Sequence, residues 1–220
     1  MIKLKVSGRL ACFTAPYSQP ERHSYPVITP SAARGVLESI YWKPEFRWRI
    51  EKLWVFNPIE YISIRRNEIN SGVPEKILKS PNSKYAVTND RTQRMTTFLK
   101  DVCYGIEADI EVVRNDDEKN KDPYAKHLTI FEKRASRGSF WQRPYLGCRE
   151  CLADYEQVLE FPTPSNHPSL SRDLGVILKD MEYVEDSKGK IIESNQGRRL
   201  SNKPVFAEAY LDQGQVKFKE

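Results

Sequence analysis

Apolar residues occupy every second position through Tyr104, Ile106, Ala108, Ile110 and Val112. A period of two belongs to a β-strand with one buried face, whereas the buried stripe of a helix recurs every three to four residues. The same alternation runs through IKLKV near the start of the chain. It returns where Phe46, Trp48 and Ile50 alternate with Glu45, Arg47 and Arg49. A chain that repeats this pattern needs a sheet, and an apolar layer to lie on one side of it.

Strands are therefore predicted over residues 2–14, with Gly8 marking a bulge or a close backbone approach. Residues 46–69 are predicted as one long or broken strand interrupted at Asn57-Pro58, and residues 94–114 as a strand pair. GVILKDMEYV and PVFAEAYLDQGQVKFKE add strands near the end. Only two stretches carry helical spacing. TPSAARGVLESIYW offers a Thr or Ser cap, then Val36, Leu37, Ile40 and Tyr41, and Pro44 ends it. YAKHLTIFEKRASRG places Leu128, Phe131 and Ala135 on one face and stops at Gly138, which puts Lys126 and His127 in its N-terminal turn. Between these lie a four-proline loop over residues 15–30, a polar loop or hairpin insertion over 70–93, and the charged connector NDDEKNKDP. The order strand, helix, strands, helix, strand is the split βαβ order. It predicts an α+β fold, with a ferredoxin-like (RRM-like) domain followed by a smaller β-rich C-terminal part.

The net charge of +5 is concentrated. Arg34, Lys43, Arg47 and Arg49 form one basic cluster, interleaved by Tyr41, Trp42, Phe46 and Trp48. Lys133, Arg134, Arg137, Arg143 and Arg149 form another, with Phe140, Trp141 and Tyr145. Cations that hold phosphates beside rings that stack on bases suit a single-stranded nucleic acid, although the same rings equally suit a core. No run is long and apolar enough for a membrane span or a signal peptide, so a cytoplasmic protein is expected. Its four cysteines are expected to be reduced. Cys148 and Cys151 form a C-x-x-C without the second pair a zinc ribbon needs, and neither a metal nor a cofactor is expected. The phosphate-binding, dinucleotide-binding, serine-hydrolase and zinc-protease signatures are all absent.

With RNA as partner, the substrate carries its own nucleophile, a 2′-hydroxyl beside the phosphate, and the protein has to orient it and move two protons. His127 suits the proton work, because imidazole titrates near neutrality. Lys126 suits the charge that builds on the phosphorane, and a helix N-terminus would add backbone donors. Tyr41 is suited to positioning the attacking hydroxyl. A Lys-His pair is equally compatible with a structural histidine, and Tyr41 with a core ring. His23 and His167, in loops, read as surface residues.

The string ESIYWKP, with the block TTFLKDVCYGIEADIEV and then YAKHL followed by LGCREC, resembles the CRISPR-associated Cas-five family, d (Dvulg) subtype, across about residues 1–155. The resemblance implies a RAMP-type ferredoxin-like domain over 1–155 and a small β-rich domain over 156–220. It also implies cofactor-free, metal-independent endoribonuclease cleavage of precursor CRISPR RNA at the base of the repeat hairpin, leaving a 2′,3′-cyclic phosphate. The family's catalytic residues correspond to Tyr41, Lys126 and His127. RNA contacts are expected from the two basic and aromatic clusters, at Arg34, Lys43, Arg134, Arg137, Trp141 and Arg143. The implied partners are the repeat RNA and the other subunits of a type I-C surveillance complex, with double-stranded DNA as a further partner in some members. Here the family's glycine-rich stretch is the bulkier RASRGSFWQRP.

Overall fold

A computed structural model describes residues 1–18, 20–80, 84–114, 121–183 and 202–219. Most of the charged connector (residues 115–120), Pro81 of the polar insertion and the ends of the two last predicted strands, Val184 and Glu220, lie outside the described residues. In chain order the elements are β1 (Ile2–Ala11), β2 (Arg22–His23), α1 (Pro30–Ile40), β3 (Phe46–Val55), β4 (Tyr61–Ile69), α2 (Glu75–Leu78), β5 (Arg91–Val112), α3 (Pro123–Ser136), β6 (Asp154–Gln157), β7 (Arg172–Tyr183), β8 (Asn202–Asp212) and β9 (Gln215–Phe218). The strands form one large mixed-length sheet in the order β6-β1-β5-β3-β9-β8-β7, with β2 and β4 also paired to β5. Among the described residues every strand pairing is antiparallel apart from that of β2 with β5.

The predicted strand pair over 94–114 is instead a single strand of 22 residues. It stays continuous because it has partners along its whole length. β4 covers its first half from Ile69↔Arg91 to Tyr61↔Leu99, and β3 covers its second half from Val55↔Tyr104 to Phe46↔Val112. β1 lies along the other edge from Ala11↔Leu99 to Ile2↔Ala108. The broken reading of 46–69 holds. β3 and β4 are separate strands, and Asn57 Nδ2 donates to the Asp101 carbonyl at 2.7 Å across the break. The polar insertion is the tip of the β4–β5 hairpin and carries the short α2.

Within β3 the register slips between Ile50 and Lys52. That bulge reconciles the sequence with the sheet, since the buried residues switch from even positions (Phe46, Trp48) to odd ones (Leu53, Val55). β8 and β9 join through Gln213 (φ +48) and Gly214 (φ +85), the positive-φ pair that a tight hairpin requires. The Gly214 carbonyl accepts from Val55 N–H at 2.7 Å, so the hairpin tip is pinned to β3.

Ile2, Leu4 and Val6 of β1, Phe46 and Trp48 of β3, and Tyr104, Ile106, Ala108 and Ile110 of β5 belong to one buried cluster with Ala33, Val36, Leu37 and Ile40 of α1 and Phe131 and Ala135 of α3. Burial of this apolar layer stabilises at roughly 25 cal/mol per Å². It also fixes where the two helix ends meet.

Candidate functional site

Thr29 starts α1 by accepting from Ala32 N–H through its hydroxyl, and Pro30 fits the first turn because its missing N–H would have no partner there. The helix stops at Tyr41, whose backbone is extended (φ −153°, ψ 124°), while its N–H still reaches the Leu37 carbonyl at 3.0 Å. Pro44 prevents the helix from resuming. The Tyr41 carbonyl is taken by Trp48 Nε1 at 3.0 Å, which ties the exit to β3.

On the other side, Asp122 caps α3 through Ala125 N–H at 3.0 Å and Pro123 follows it. The helix therefore begins at Pro123, one residue before the predicted segment. His127 lies one turn in, and the backbone donors expected beside it belong to the capped turn before it. His127, Phe131 and Ala135 form the buried stripe, while Leu128, expected to lead it, is only half-buried.

These two ends bring Tyr41 Oη to 2.9 Å from His127 Nδ1, across 86 residues of sequence. The other ring nitrogen, Nε2, lies 2.8 Å from Glu45 Oε2. A carboxylate can only accept, so Nε2 carries the proton, and Nδ1 presents its lone pair to the Tyr41 O–H. Phe46 packs against both rings, at 5.5 Å from Tyr41 and 4.8 Å from His127. Burial pushes the His127 imidazole below its ordinary range. Glu45 opposes that shift, and Lys126 and Lys43 reinforce it. Burial, with Glu45, pushes the Tyr41 phenol up, against the pull of Arg134. Both groups are therefore neutral at pH 7, in keeping with a phenol that donates to an imidazole.

Of the predicted residues, Tyr41, His127 and Arg134 come into contact here, and Lys43 and Lys126 lie near enough to act electrostatically on His127. Lys126 is half-buried and points about 100° around the helix from His127. Arg134 lies over the Tyr41 ring at 4.9 Å and donates to the Ile40 carbonyl at 3.1 Å, a cation set at the carbonyl end of α1. Lys43 and Arg137 are exposed. Trp141 is 84% exposed, and its backbone N–H is anchored on the Ser39 carbonyl at 2.9 Å, next to the same helix end. Arg143, also exposed, pairs with Asp154 at 3.4 Å. Arg34 is elsewhere. It bonds Asp180 at 2.7 Å and the Met181 carbonyl at 3.4 Å, joining α1 to β7. His23 stacks on Tyr61, and His167 bonds Ser169 within its own turn.

All four cysteines are free, and Cys12, Cys148 and Cys151 are buried together. Among the described residues no cluster of His, Cys, Asp and Glu is arranged to hold a metal ion, and no helix is long and apolar enough to cross a membrane. Sequence reasoning missed Glu45. The one signal for it is an acidic residue inside the first basic cluster, where alternation had marked it only as the outward position before Phe46.

A family model described as CRISPR-associated protein (Cas_Cas5), of Cas5d type, matches residues 1–210. A protein of Mannheimia succiniciproducens named CRISPR pre-crRNA endoribonuclease Cas5d is 39% identical over 216 residues, covering 93% of this chain and 95% of the relative. One of the same name from Thermus thermophilus is 40% identical over 187 residues, covering 84% and 75%. The fold is similar to the crystal structure of a CRISPR-associated protein (TM-score 0.62, 23% identity, covering 100% of this chain and 91% of that one). It is also similar to a functionally uncharacterized protein from Streptococcus mutans (TM-score 0.64, 22% identity, covering 100% and 92%).

Proposed function

This chain belongs to the CRISPR-associated Cas5 family, Cas5d type, and from that premise we propose that it is a precursor-CRISPR-RNA endoribonuclease that acts without a metal and stays with its product in a surveillance complex. The observation that carries the reading is the buried 2.9 Å contact between Tyr41 and His127, with Lys126 and Lys43 at its edge. In the proposed reaction the 2′-hydroxyl loses its proton, its oxygen attacks the adjacent phosphorus, and the P–O5′ bond breaks. The departing 5′-oxygen takes up that proton from the His127 imidazolium so formed, leaving a 2′,3′-cyclic phosphate and restoring the neutral ring. Neutral His127 supplies the base, Lys126 stabilises the phosphorane charge, and Tyr41 orients the attacking hydroxyl. Tyr41 and His127 are each only 2% exposed in the free chain, so RNA has to expose the pair as it binds.

Arg137, Arg143 and Trp141 are proposed to hold the RNA flanking the cut, two as phosphate contacts and one as a stacking platform. Arg134 supports this face by covering Tyr41, whereas Arg34 is assigned to packing β7. Two proposals concern the fold. The strand order β6-β1-β5-β3 with α1 and α3 is consistent with a ferredoxin-like domain over residues 1–155. The two-pair link of β9 to β3 is consistent with a smaller unit over 156–220. The cytoplasm is the proposed compartment.

Single-turnover cleavage of repeat RNA in EDTA tests the reading. Cleavage by the wild type and its loss in His127→Ala support it, and cleavage unchanged by the substitution refutes the assignment. One observation favours a rival: both ring nitrogens of His127 are already engaged, as in a structural histidine of a subunit that binds the 5′ handle without cutting. That reading predicts RNA binding and no cyclic-phosphate product at any pH.

A further inference from the structure

We infer that Glu45 is a positioning residue for His127, holding the imidazole as the Nε2–H tautomer so that Nδ1 faces the Tyr41 phenol. The inference rests on the ribonuclease reading for its consequence in catalysis, but its geometry stands apart from that reading.

Tyr41 sits at the end of α1, Glu45 just before β3, and His127 on α3, and their polar atoms form one line. Tyr41 Oη is 2.9 Å from Nδ1, and Nε2 is 2.8 Å from Glu45 Oε2. A neutral imidazole has one N–H and one lone pair, so the partner of either nitrogen decides the role of the other. Of the two partners only the carboxylate has a fixed role, since it accepts and never donates. The hydroxyl of Tyr41 adapts to whichever tautomer is present. Glu45 therefore dictates the state of the relay.

The charges around the ring sharpen this role. Lys43, on the connection into β3, and Lys126, on α3, both disfavour a protonated imidazole. Arg134 of α3 lies over the phenol, and the Phe46 ring packs against the imidazole. Among the described residues Glu45 is the anion that acts most strongly on His127, and it keeps protonation accessible as His127 takes the proton of the 2′-hydroxyl. It is also the most open member of the line, with its side chain 22% exposed against 2% for His127, so it can respond to RNA at the rim. Its backbone holds it in place independently of the carboxylate, because the Glu45 carbonyl accepts from Val113 N–H at 2.9 Å and Arg114 N–H at 3.1 Å.

The test is Glu45→Gln, which preserves shape while its amide can either donate or accept. Long-range ¹H–¹⁵N spectra of the imidazole, assigned with His127→Gln, read the tautomer in the free protein without RNA. The wild type is expected to show Nε2–H, and Glu45→Gln is expected to gain Nδ1–H. Single-turnover cleavage is expected to fall by about 10² to 10⁴-fold, as when the orienting carboxylate of a Ser-His-Asp triad becomes an amide, with the RNA dissociation constant held within about threefold. Glu45→Asp keeps the carboxylate and is expected to retain Nε2–H and recover part of the rate. An unchanged tautomer in Glu45→Gln, or Nδ1–H already present in the wild type, overturns the inference. A wild type that shows Nε2–H and does not cleave repeat RNA refutes the ribonuclease reading instead, leaving the tautomer result intact.

Discussion

Replacing Tyr41 with phenylalanine removes one oxygen from a site where little else changes. The ring keeps its contacts with Phe46 at 5.5 Å and with Arg134 at 4.9 Å, and the Tyr41 carbonyl still accepts from Trp48. What is lost is the O–H that donates to His127 Nδ1. At 2% exposure water does not take its place, so a lone pair is left buried without a donor. Leaving one buried polar group unsatisfied costs about 1–3 kcal/mol, and about 1.5 kcal/mol suits this case because Glu45 still holds the other nitrogen. For a chain of this size that is a fall of roughly 3–6 °C in Tm. It is well short of the roughly 3–5 kcal/mol expected when an aromatic side chain is cut to alanine and a cavity opens. Differential scanning calorimetry of Tyr41→Phe measures it, alongside single-turnover cleavage of repeat RNA at 25 °C, where the variant remains folded. The expected result is a modest loss of Tm with a large loss of cleavage rate and little change in RNA binding. An unchanged Tm would mean that the buried phenol–imidazole bond contributes nothing. Lost stability with undiminished cleavage would make Tyr41 a packing residue and refute its catalytic role.

Three other outcomes follow from single residues. His127 is held below its ordinary pKa, so as pH falls through about 6.5 the unfolded imidazole takes up a proton that the folded one refuses. Stability present above pH 6.5 is therefore lost on acidification, at no more than about 1.4 kcal/mol per pH unit from this group, and urea midpoints for His127→Gln should be flatter than wild type between pH 6.5 and 5. Gly147 adopts φ +83, and a Cβ there would lie 2.0 Å from the Cys12 carbonyl oxygen. Gly147→Ala should cost on the order of 3 kcal/mol in urea denaturation, since both its own backbone and the Cys12-Phe13 backbone just after β1 would have to move. Trp141→Ala should leave stability within about 0.5 kcal/mol, because the side chain is 84% exposed. It should weaken repeat-RNA binding by about 1–3 kcal/mol in a fluorescence titration if a base stacks there.

Much of the fold was legible because its local signals agree with its packing. Alternation in β1, β3 and β5 and the caps of α1 mark elements whose buried faces recur at a fixed period. The 22-residue length of β5 was not legible, since a strand continues wherever it finds partners, and those partners lie far away in sequence. In α3 Phe131 and Ala135 are buried as predicted, and only the leading residue of the stripe was misread, for a related reason. A periodicity count credits Leu128, whereas the helix turns His127 inward, because Tyr41 and Glu45 satisfy both of its nitrogens.

Residue types and motifs alone thus determined the strand-rich character, the ends of α1 and the family resemblance, and through that resemblance the candidates Tyr41, Lys126 and His127. Tertiary structure decided that Tyr41 and His127 touch, that Arg34 belongs to the β7 contact, and that Glu45 completes the line. The physical reason is range. Periodicity and capping act over a few residues and are written in order along the chain, whereas a hydrogen bond across 86 residues exists only once two helix ends have packed on the same sheet.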